Sequence, residues 1–403
     1  MSKLDELIKE LCPNGVEYKK TNSFCEIKTG KGITSKDSSE NGEYPIISGG
    51  KTPMGYYDKY NREGNTVTIS RVGANAGFVL FLEEKFYLND KCFSVIPFEE
   101  YKNTIIPKYL YYFFKNIENQ IVALQSEGGV PTINTQKVGN LEIPVPPLPV
   151  QEEIVRILDT FTSLTAELTA ELTAELTARR KQYEYYRDSL LTRDTKVEVK
   201  KLGDFATITR GGNFQKKDFV ERGLPCIHYG QMYTHFGTWT EKTLTFVAKD
   251  VFNKSKQAQP NDIVMAVTSE NVDDVCKCTA WVGKEPIAVS GHTAIIHHNQ
   301  NAKYLSYYFQ SSVFYKQKVK LAHGTKVIEV TPDKLNDITI PLPSLDVQER
   351  IVNVLDNFDS ICTDLKIGLP AEIEARKKQY EYYRDLLLTF ASSGNTILSE
   401  QMK

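Results

Sequence analysis

The sequence has 403 residues, 41% hydrophobic and 25% charged, which is enough for two domains with cores of ordinary size and excludes a disordered chain. No run approaches 18 uncharged apolar residues, and residues 1–11 predict a charged amphipathic helix without the apolar core of a signal peptide. We therefore expect a cytoplasmic protein. The formal net charge of −2 indicates no strong attraction to a polyanion, because neutralising phosphates requires clustered lysine and arginine.

The seven cysteines are odd in number and follow no disulfide framework spacing, which is typical of reduced thiols. Cys276 and Cys278 are the only close pair. A zinc site there would need a second pair of ligands at matching spacing. Zinc remains an alternative because His292, His297 and His298 follow, but we expect no metal site.

An internal repeat organises the chain. Residues 143–192 return as residues 340–389 at a constant shift of 197, and about 30 of the 50 aligned positions are identical. The match includes an unbroken KQYEYYRD at residues 181–188 and again at residues 378–385. A repeat of this length decides the organisation of the chain before any other pattern does. We name the two copies the first and second connector.

Each connector begins with a proline run that ends a strand, and an amphipathic helix follows at once. The apolar stripe of the first helix consists of Ile154, Ile157, Leu158, Phe161, Leu164, Leu168, Leu172 and Leu176, and that of the second of Ile351, Val354, Leu355, Phe358, Ile361 and Leu365. Neither helix can bury its stripe alone, so we expect an intramolecular coiled coil. The alternative is that each helix packs on its own domain. Gly368 and Pro370 predict a break in the second helix.

The connectors, at residues 143–196 and 340–403, alternate with globular segments at residues 1–142 and 197–339. Residues 16–30 align with residues 197–211, and the aromatic runs Tyr109 to Phe114 and Tyr304 to Phe309 correspond. Both segments predict short strands closed by one helix, with strands at residues 66–70, 78–81, 262–267 and 294–297. The aromatic runs have helical spacing, which favours a core position over a stacking surface. The pattern predicts one α+β fold with two different surfaces.

This alternation, with LTAELTAELTAELTA at residues 164–178, resembles the specificity subunits of type I restriction-modification systems, and the TAEL units resemble the type IC branch. The signals are QE-x-IV-x-x-LD-x-F at residues 151–161 and 348–358 and the two KQYEYYRD segments. The resemblance implies two mixed α/β target recognition domains, each binding one half of a split asymmetric DNA site. It also implies a pseudo-twofold, antiparallel coiled coil that docks two modification subunits, to which restriction subunits are added.

The resemblance further implies that S-adenosylmethionine, ATP and magnesium are used by the partner subunits, so we expect no cofactor and no catalysis in this chain. No Asn-Pro-Pro-aromatic or Asp-Pro-Pro-aromatic motif is present. Gly50–Thr52 lacks the first glycine of a phosphate loop, since Pro45 stands there. Residues 364–366 faintly resemble a nuclease motif but are read more simply as a coiled-coil face. The alternatives are a fused, self-sufficient methyltransferase or nuclease, and a coiled-coil scaffold that does not bind DNA.

Base recognition needs donors and acceptors on backbone that approaches the duplex closely, which favours glycine-rich polar loops. Any one such loop is more often an ordinary turn, but these recur at comparable places in both halves. The candidates in the first domain are Lys28, Lys31, Gly50, Lys51, Arg71, Asn75, Thr132 and Asn134, and those in the second are Arg210, Asn213, Tyr229, Gln231, His292, Thr325 and Lys326. Arg71 is the strongest, because the first domain has only two arginines and this one directly follows a predicted strand.

Overall fold

The computed structural model describes residues 2–39, 42–126, 129–192, 197–363 and 368–393. The chain divides into two compact units, one formed by Met1–Glu171 with Ile373–Lys403 and the other by Leu172–Glu372. Each unit therefore contains one globular domain and a segment of each connector. None of the described helices is long and apolar enough to cross a membrane.

The first domain is built from short strands and four α-helices within its described residues. The strands are β1 (Tyr18–Lys20), β2 (Cys25–Thr29), β3 (Tyr44–Ile47), β4 (Tyr56–Tyr57), β5 (Thr66–Ser70), β6 (Val79–Leu82), β7 (Tyr87–Leu88), β8 (Cys92–Pro97) and β9 (Glu142–Pro144). The helices are α1 (Lys3–Leu11), α2 (Pro107–Asn116), α3 (Glu118–Ala123) and α4 (Thr135–Gly139). The main sheet is antiparallel in the order β2-β8-β5-β6, and β4-β3-β7 form a smaller sheet. Every residue of β5 is buried, as expected of a central strand.

Helix α2 carries the first aromatic run and covers the main sheet. Pro107 occupies its first turn, where proline costs no backbone hydrogen bond. Tyr109 and Phe114 are fully buried, so the predicted core position of this run is confirmed. The prediction of one closing helix is wrong, because α3 follows α2. The backbone leaves helical geometry at Ile117, with ψ of 17°, and this turn directs Ile121 of α3 into the core.

The first connector forms one continuous helix, α5 (Leu148–Thr192), of 45 residues. Gln151 fixes its start, because the side-chain amide accepts a 2.9 Å hydrogen bond from the Ile106 N–H and donates a 2.7 Å bond to the Pro146 carbonyl. Gln151 is fully buried, so these bonds satisfy an amide that has no access to water. The entry of the connector is thereby tied to the residue that precedes α2.

The second domain repeats the first with additional strands. The strands are β10 (Val199–Lys201), β11 (Ala206–Arg210), β12 (Phe219–Val220), β13 (Leu224–Ile227), β14 (Trp239–Thr240), β15 (Thr245–Val247), β16 (Gln257–Ala258), β17 (Ile263–Ala266), β18 (Thr268–Ser269), β19 (Cys278–Trp281), β20 (Ile287–Val289), β21 (Thr293–His298), β22 (Ile328–Glu329) and β23 (Thr339–Pro341). The helices are α6 (Leu202–Phe205), α7 (Lys249–Lys254), α8 (Ala302–Tyr308), α9 (Ser312–Leu321) and α10 (Pro332–Leu335).

The main sheets of the two domains share strand order and register. The order β11-β21-β17-β19-β14 matches β2-β8-β5-β6, with β14 added beyond the last strand. Val67 of β5 pairs with Val95 and Phe81. Ile263 of β17 pairs in the same way with Ile296 and Ala280. The prediction that both domains share one fold is therefore confirmed at the level of individual residue pairs.

The second connector forms α11 (Leu345–Thr363) and α12 (Leu369–Ser393) in its described residues. Helix α12 begins beside Gly368, whose carbonyl accepts from the N–H of Ala371, and Pro370 lies in its first turn. The predicted break at Gly368 and Pro370 is confirmed. Residues 364–366, considered above as a nuclease motif, and the predicted stripe residue Leu365 lie outside the described residues.

Within each unit, the two connectors pack against each other in antiparallel orientation. In the first unit the ring of Phe161 lies 5.8 Å from that of Tyr383, and Leu168, later in α5, shares a small cavity with Arg376, earlier in α12. In the second unit Tyr186 stacks on Phe358 at 5.7 Å. The predicted pairing is thus confirmed, and the alternative is partly correct as well, because α5 also packs on the domains.

Candidate nucleic-acid interface

Several predicted loops of the first domain meet at one end of the main sheet. The Lys31 N–H donates to the Leu88 carbonyl at 2.9 Å, which joins the loop after β2 to the loop after β7. The Asn75 side chain donates to the Gly49 carbonyl at 3.2 Å, which joins the loop after β5 to the loop after β3. These hydrogen bonds hold the loops together, so their exposed side chains share one surface.

Arg71 lies at the centre of this surface. Its N–H donates to the Lys91 carbonyl at 2.9 Å, and its carbonyl accepts from the Ile133 N–H at 2.8 Å. The guanidinium lies 5.7 Å from the Phe93 ring centre and donates one 3.3 Å bond from Nη1 to the Asp90 carbonyl. Its Nε is buried, and no described residue accepts from it. Nη1 and Nη2 together carry four N–H donors, and the described residues accept from one of them, so three remain for an acceptor from outside.

Arg62, the other arginine of the first domain, is used inside the domain. Its Nε donates to the Ser94 hydroxyl at 2.8 Å, and Nη1 and Nη2 donate to the carbonyls of Asn61 at 2.8 Å and Thr29 at 3.1 Å. Burial lowers the pKa of the Arg62 guanidinium. Arg62 therefore holds strands together, and Arg71 is the first-domain arginine whose guanidinium is less engaged within the domain.

Glycine allows the loop after β2 to approach its neighbour closely. A Cβ on Gly30 would lie 2.2 Å from the Leu88 carbonyl oxygen, and one on Gly211 would lie 2.1 Å from that of Ser290. Real Cβ atoms do not approach a carbonyl this closely, so both positions require glycine. The same close approach is therefore built at the same place in both domains.

The second domain assembles the same loops but carries different side chains on them. Arg210 Nε donates to the Gly291 carbonyl at 2.9 Å, and Nη1 forms a 3.0 Å ion pair with Glu329. The Tyr229 ring lies 4.8 Å from the exposed imidazole of His292. The Arg210 guanidinium is thus partly engaged within the domain, whereas the two rings form an aromatic surface.

The matched registers show which residues correspond. The Val267 N–H donates to the His292 carbonyl at 3.0 Å, as Arg71 does to Lys91. Val267 therefore takes the place of Arg71, and His292 that of Lys91. The first domain offers an arginine and a lysine at positions where the second offers an aliphatic residue and an imidazole.

Further candidate side chains form hydrogen bonds within the fold. Asn134 caps α4 by accepting from the Lys137 N–H at 2.8 Å, and Thr132 donates to the Val130 carbonyl at 3.0 Å. Gln231 accepts from the His228 N–H at 2.9 Å. Asn75, as described above, bonds Gly49. These side chains shape the loops, and contacts of theirs with DNA stay a prediction.

The other candidates are mostly exposed. Lys28 lies within β2 rather than in a loop, 3.6 Å from Glu26, and Lys31 and Asn213 lie in loops after the first strand of each main sheet. Thr325 and Lys326 follow Gly324, whose φ is +111°. Gly50, Lys51 and Thr52 lie between strands β3 and β4, with no helix after them, so a phosphate loop is not formed.

Sequence reasoning missed Asp90 and Lys91, which are exposed in the loop before β8 and both bonded to Arg71. The signal was present, because Asn89, Asp90 and Lys91 form a polar turn sequence directly before a strand. The Asn89 side chain stabilises this loop by donating to the Ile33 carbonyl at 2.7 Å. We add Lys91 to the candidate interface.

The considered metal pair lies in the core of the second domain. Burial raises the pKa of Cys276 and of Cys278 to about 12, so both thiols are protonated at neutral pH. Protonated thiols are poor metal ligands. Among the described residues, no three His, Cys, Asp or Glu side chains are grouped as metal ligands would be.

Both domains are α+β folds whose main sheets share one strand order, and within each unit segments of the two connectors pair as antiparallel helices. The sequence matches the type I restriction modification DNA specificity domain twice, over residues 13–178 and residues 195–375. The chain belongs to this family of type I restriction-modification specificity subunits.

Relatives and solved structures agree with this assignment. The chain is 32% identical over 377 residues to the specificity subunit of EcoR124I and EcoR124II from Escherichia coli, with 89% of this chain and 90% of that one covered. It is 32% identical to a putative specificity subunit from Haemophilus influenzae, with 83% and 86% covered. A chain solved in work on assembly and conformational transition of the type I system covers 93% of this chain and 98% of its own length, with a TM-score of 0.66 and 17% identity, which shows the fold.

Proposed function

We propose that this chain is the non-catalytic, DNA-reading subunit of a type I restriction-modification complex, with each domain binding one half of a bipartite, asymmetric site. The observation that carries the proposal is the pair of equivalent loop clusters, one per domain, which share backbone geometry and differ in side chains. Equivalent scaffolds with different donors and acceptors suit two different base sequences. The duplex would be read at the cluster of Arg71 and Lys91 and at the cluster of Tyr229 and His292.

The near-neutral charge limits what this chain contributes to affinity. Phosphate contacts from lysine and arginine supply most of the nonspecific binding energy of DNA-binding proteins. A chain with a net charge of −2 therefore depends on a partner for much of that energy. This favours a recognition subunit within a larger complex over a protein that binds DNA alone.

The connectors offer two matching apolar surfaces for that partner. In the first unit Leu164 and Tyr382 are 55% and 50% exposed, and in the second Ile361 and Tyr185 are 45% and 67% exposed. Leu164 and Ile361 occupy one position of the repeat, and Tyr185 and Tyr382 another. Exposed aromatic and aliphatic side chains at repeated positions suit two copies of one partner. We assign these surfaces to two modification subunits.

Methyl transfer and DNA cleavage belong to partners in this proposal. S-adenosylmethionine would be held by the modification subunits, and ATP and magnesium would be used with the restriction subunits. We place the complex in the cytoplasm, in agreement with seven described cysteines that are all buried free thiols.

Purified chain and modification subunit test the proposal. Alone, the chain should transfer no methyl group with S-adenosylmethionine and should cut no DNA with ATP and magnesium. Mixed, they should form a complex whose mass fits two modification subunits per chain and which methylates adenine at a bipartite site. Activity of the pure chain, or a complex saturated by one modification subunit, would contradict the proposal.

A further inference from the structure

An added strand fills a groove in the second domain that is open in the first. Strand β14 lies parallel to β19, with Trp239 paired to Ala280. The N–H groups of Ala280 and Val282 donate to the carbonyls of Thr238 at 2.9 Å and Thr240 at 3.0 Å. The edge of β19 is therefore covered by the chain's own segment.

Trp239 also joins the second domain to its connector. The indole N–H donates to Asp356 at 3.2 Å, and the ammonium of Lys303 lies 3.6 Å from the ring centre. Lys303 Nζ in turn contacts Asp356 at 2.8 Å. The tryptophan is thus bound by one carboxylate, that of Asp356, and one ammonium, that of Lys303. We call this pair of side chains the tryptophan seat.

The first domain has a similar pair of side chains without the strand. Lys108 and Asp159 occupy the positions of Lys303 and Asp356, and their side chains lie 3.2 Å apart. The Lys108 ammonium also lies 3.2 Å from Glu83, which takes the position of Val282. Strand β6 is the last strand of its sheet in the described structure, so the backbone groups of Phe81, which corresponds to Ala280, face outward from the edge. The space beside them is a groove of about 730 Å³ lined by residues of β6, of α2 and of α5.

One oxygen of Asp159 is left for a donor. The Tyr112 hydroxyl and the Lys108 ammonium both contact Oδ1, at 2.6 Å and 3.2 Å, and none of the described residues bonds Oδ2. The Asp159 side chain is 39% exposed. The first domain therefore presents an accessible acceptor, an aromatic floor of Phe81 and Tyr111, and an unpaired strand edge in one groove.

We propose that this groove binds an extended segment of the modification subunit, which adds as a parallel strand to β6 and places a tryptophan over Lys108 with its indole N–H on Asp159. Strand addition to an exposed edge is a common mode of peptide recognition, with main-chain bonds giving affinity and side-chain seats giving specificity. The choice of partner rests on the proposed function. One wall of the groove, formed by Asp159, Thr162 and Ser163, belongs to the first connector, which is the element that we assign to docking the modification subunit.

The probe for the groove is a peptide with the sequence of residues 236–243, FGTWTEKT, titrated onto the full chain. We expect saturable binding that weakens at least tenfold when the peptide carries Trp239→Ala or the protein carries Asp159→Asn. The amide oxygen introduced by Asp159→Asn can still accept from the Tyr112 hydroxyl, so the fold is retained. Glu84→Gln removes one charge from the same groove and should leave binding unchanged. Equal affinity of both peptides, or no saturable binding, would overturn the proposal.

Hydrogen exchange tests the partner. The backbone amides of Phe81 and Glu83 should exchange rapidly in the free chain and become protected when the modification subunit binds. A complex of full mass in which these amides exchange as in the free chain would overturn the assignment to the modification subunit and leave the proposed function intact. Failure of any complex to form would instead contradict the proposed function, and the peptide titration would decide the groove.

Discussion

The Tyr112 hydroxyl donates a 2.6 Å hydrogen bond to Asp159, which joins α2 to the first connector. Tyr307 donates a bond of the same length to Asp356 in the second unit. Asp159 and Asp356 occupy the same position of the repeat, and the two tyrosines lie at corresponding positions of the aromatic runs. The repeat therefore includes the attachment of domain to connector as well as the connector itself.

Tyr112→Phe and Tyr307→Phe should each destabilise their unit by about 1–2 kcal/mol, because each removes one hydrogen bond to a charged group and little volume. Denaturant unfolding followed for each unit separately measures the effect. Tyr185→Phe, at a tyrosine that is 67% exposed on the connector, is the control and should change the free energy of unfolding little. Equal effects of all three substitutions would show that the bonds to aspartate are not what stabilises the attachment.

Gly30→Ala should destabilise the first unit by roughly 1–3 kcal/mol, because the added methyl would require the loop to move away from the Leu88 carbonyl. Gly32→Ala is a matched control, since its Cβ would lie 3.6 Å from Asp90, an ordinary contact. Thermal unfolding of the two variants should therefore differ clearly. Equal stability would mean that the close approach at Gly30 does not constrain the loop.

His298 should make the second unit sensitive to mild acid. Burial lowers the pKa of His298 to about 4, below its ordinary value of about 6.5. Below pH 6.5 the unfolded chain binds a proton at His298 that the folded chain does not. The contribution of the neutral imidazole to the free energy of unfolding is therefore complete above pH 6.5 and is lost as the pH falls to 4. The loss amounts to about 3 kcal/mol.

Urea unfolding at pH 7 and pH 4.5 measures this loss, and His298→Gln should lose less stability than the unmodified chain over the same interval. Glutamine fits because the imidazole is 7% exposed and its Nδ1 accepts only from the Gln300 N–H, at 3.2 Å, among the described residues. If both proteins weaken equally, another group causes the acid sensitivity.

Arg71→Ala should weaken specific DNA binding by about 1–3 kcal/mol if the arginine contacts a base edge in two places, and should affect nonspecific binding less. The assembled complex is titrated with its own site and with a scrambled duplex at one salt concentration. Lys102→Ala is the control, since Lys102 is not a candidate, follows the end of β8 opposite to Lys91 and forms an ion pair with Glu99. A uniform loss on all duplexes would make Arg71 a phosphate contact.

The sequence predicted those parts of the fold that are long or repeated. The stripe from Ile154 to Leu176 fixed the helix of the first connector, and the spacing of Tyr109 and Phe114 placed α2 in the core. The sequence did not predict α3 as a separate helix, because isoleucine is not a residue type that marks a turn. The turn at Ile117 between α2 and α3 depends on tertiary packing. Strand β14 was missed because a strand of two residues has no periodicity to detect.

The candidate site was predicted as a set of loops and not as a surface. Polar glycine-rich segments indicated where the chain turns, but their meeting point depends on the register of β5 with β8, which the sequence does not display. For the same reason Lys91 was missed, although it lies next to Arg71. The hydrogen bonds of Asn75, Asn134 and Gln231 within the fold could not be predicted either, because the same polar residue types cap turns and contact bases.

The central claim is that each domain reads its own half of the DNA site, and methylome sequencing of a hybrid tests it most directly. Residues 197–339 are exchanged for the corresponding segment of a relative, and methylated adenines are mapped in hosts that carry the modification subunit with either chain. We expect both chains to give bipartite motifs that share one half-site and differ in the other. A hybrid that assembles and methylates but changes both half-sites, or a motif without two halves, would contradict the account.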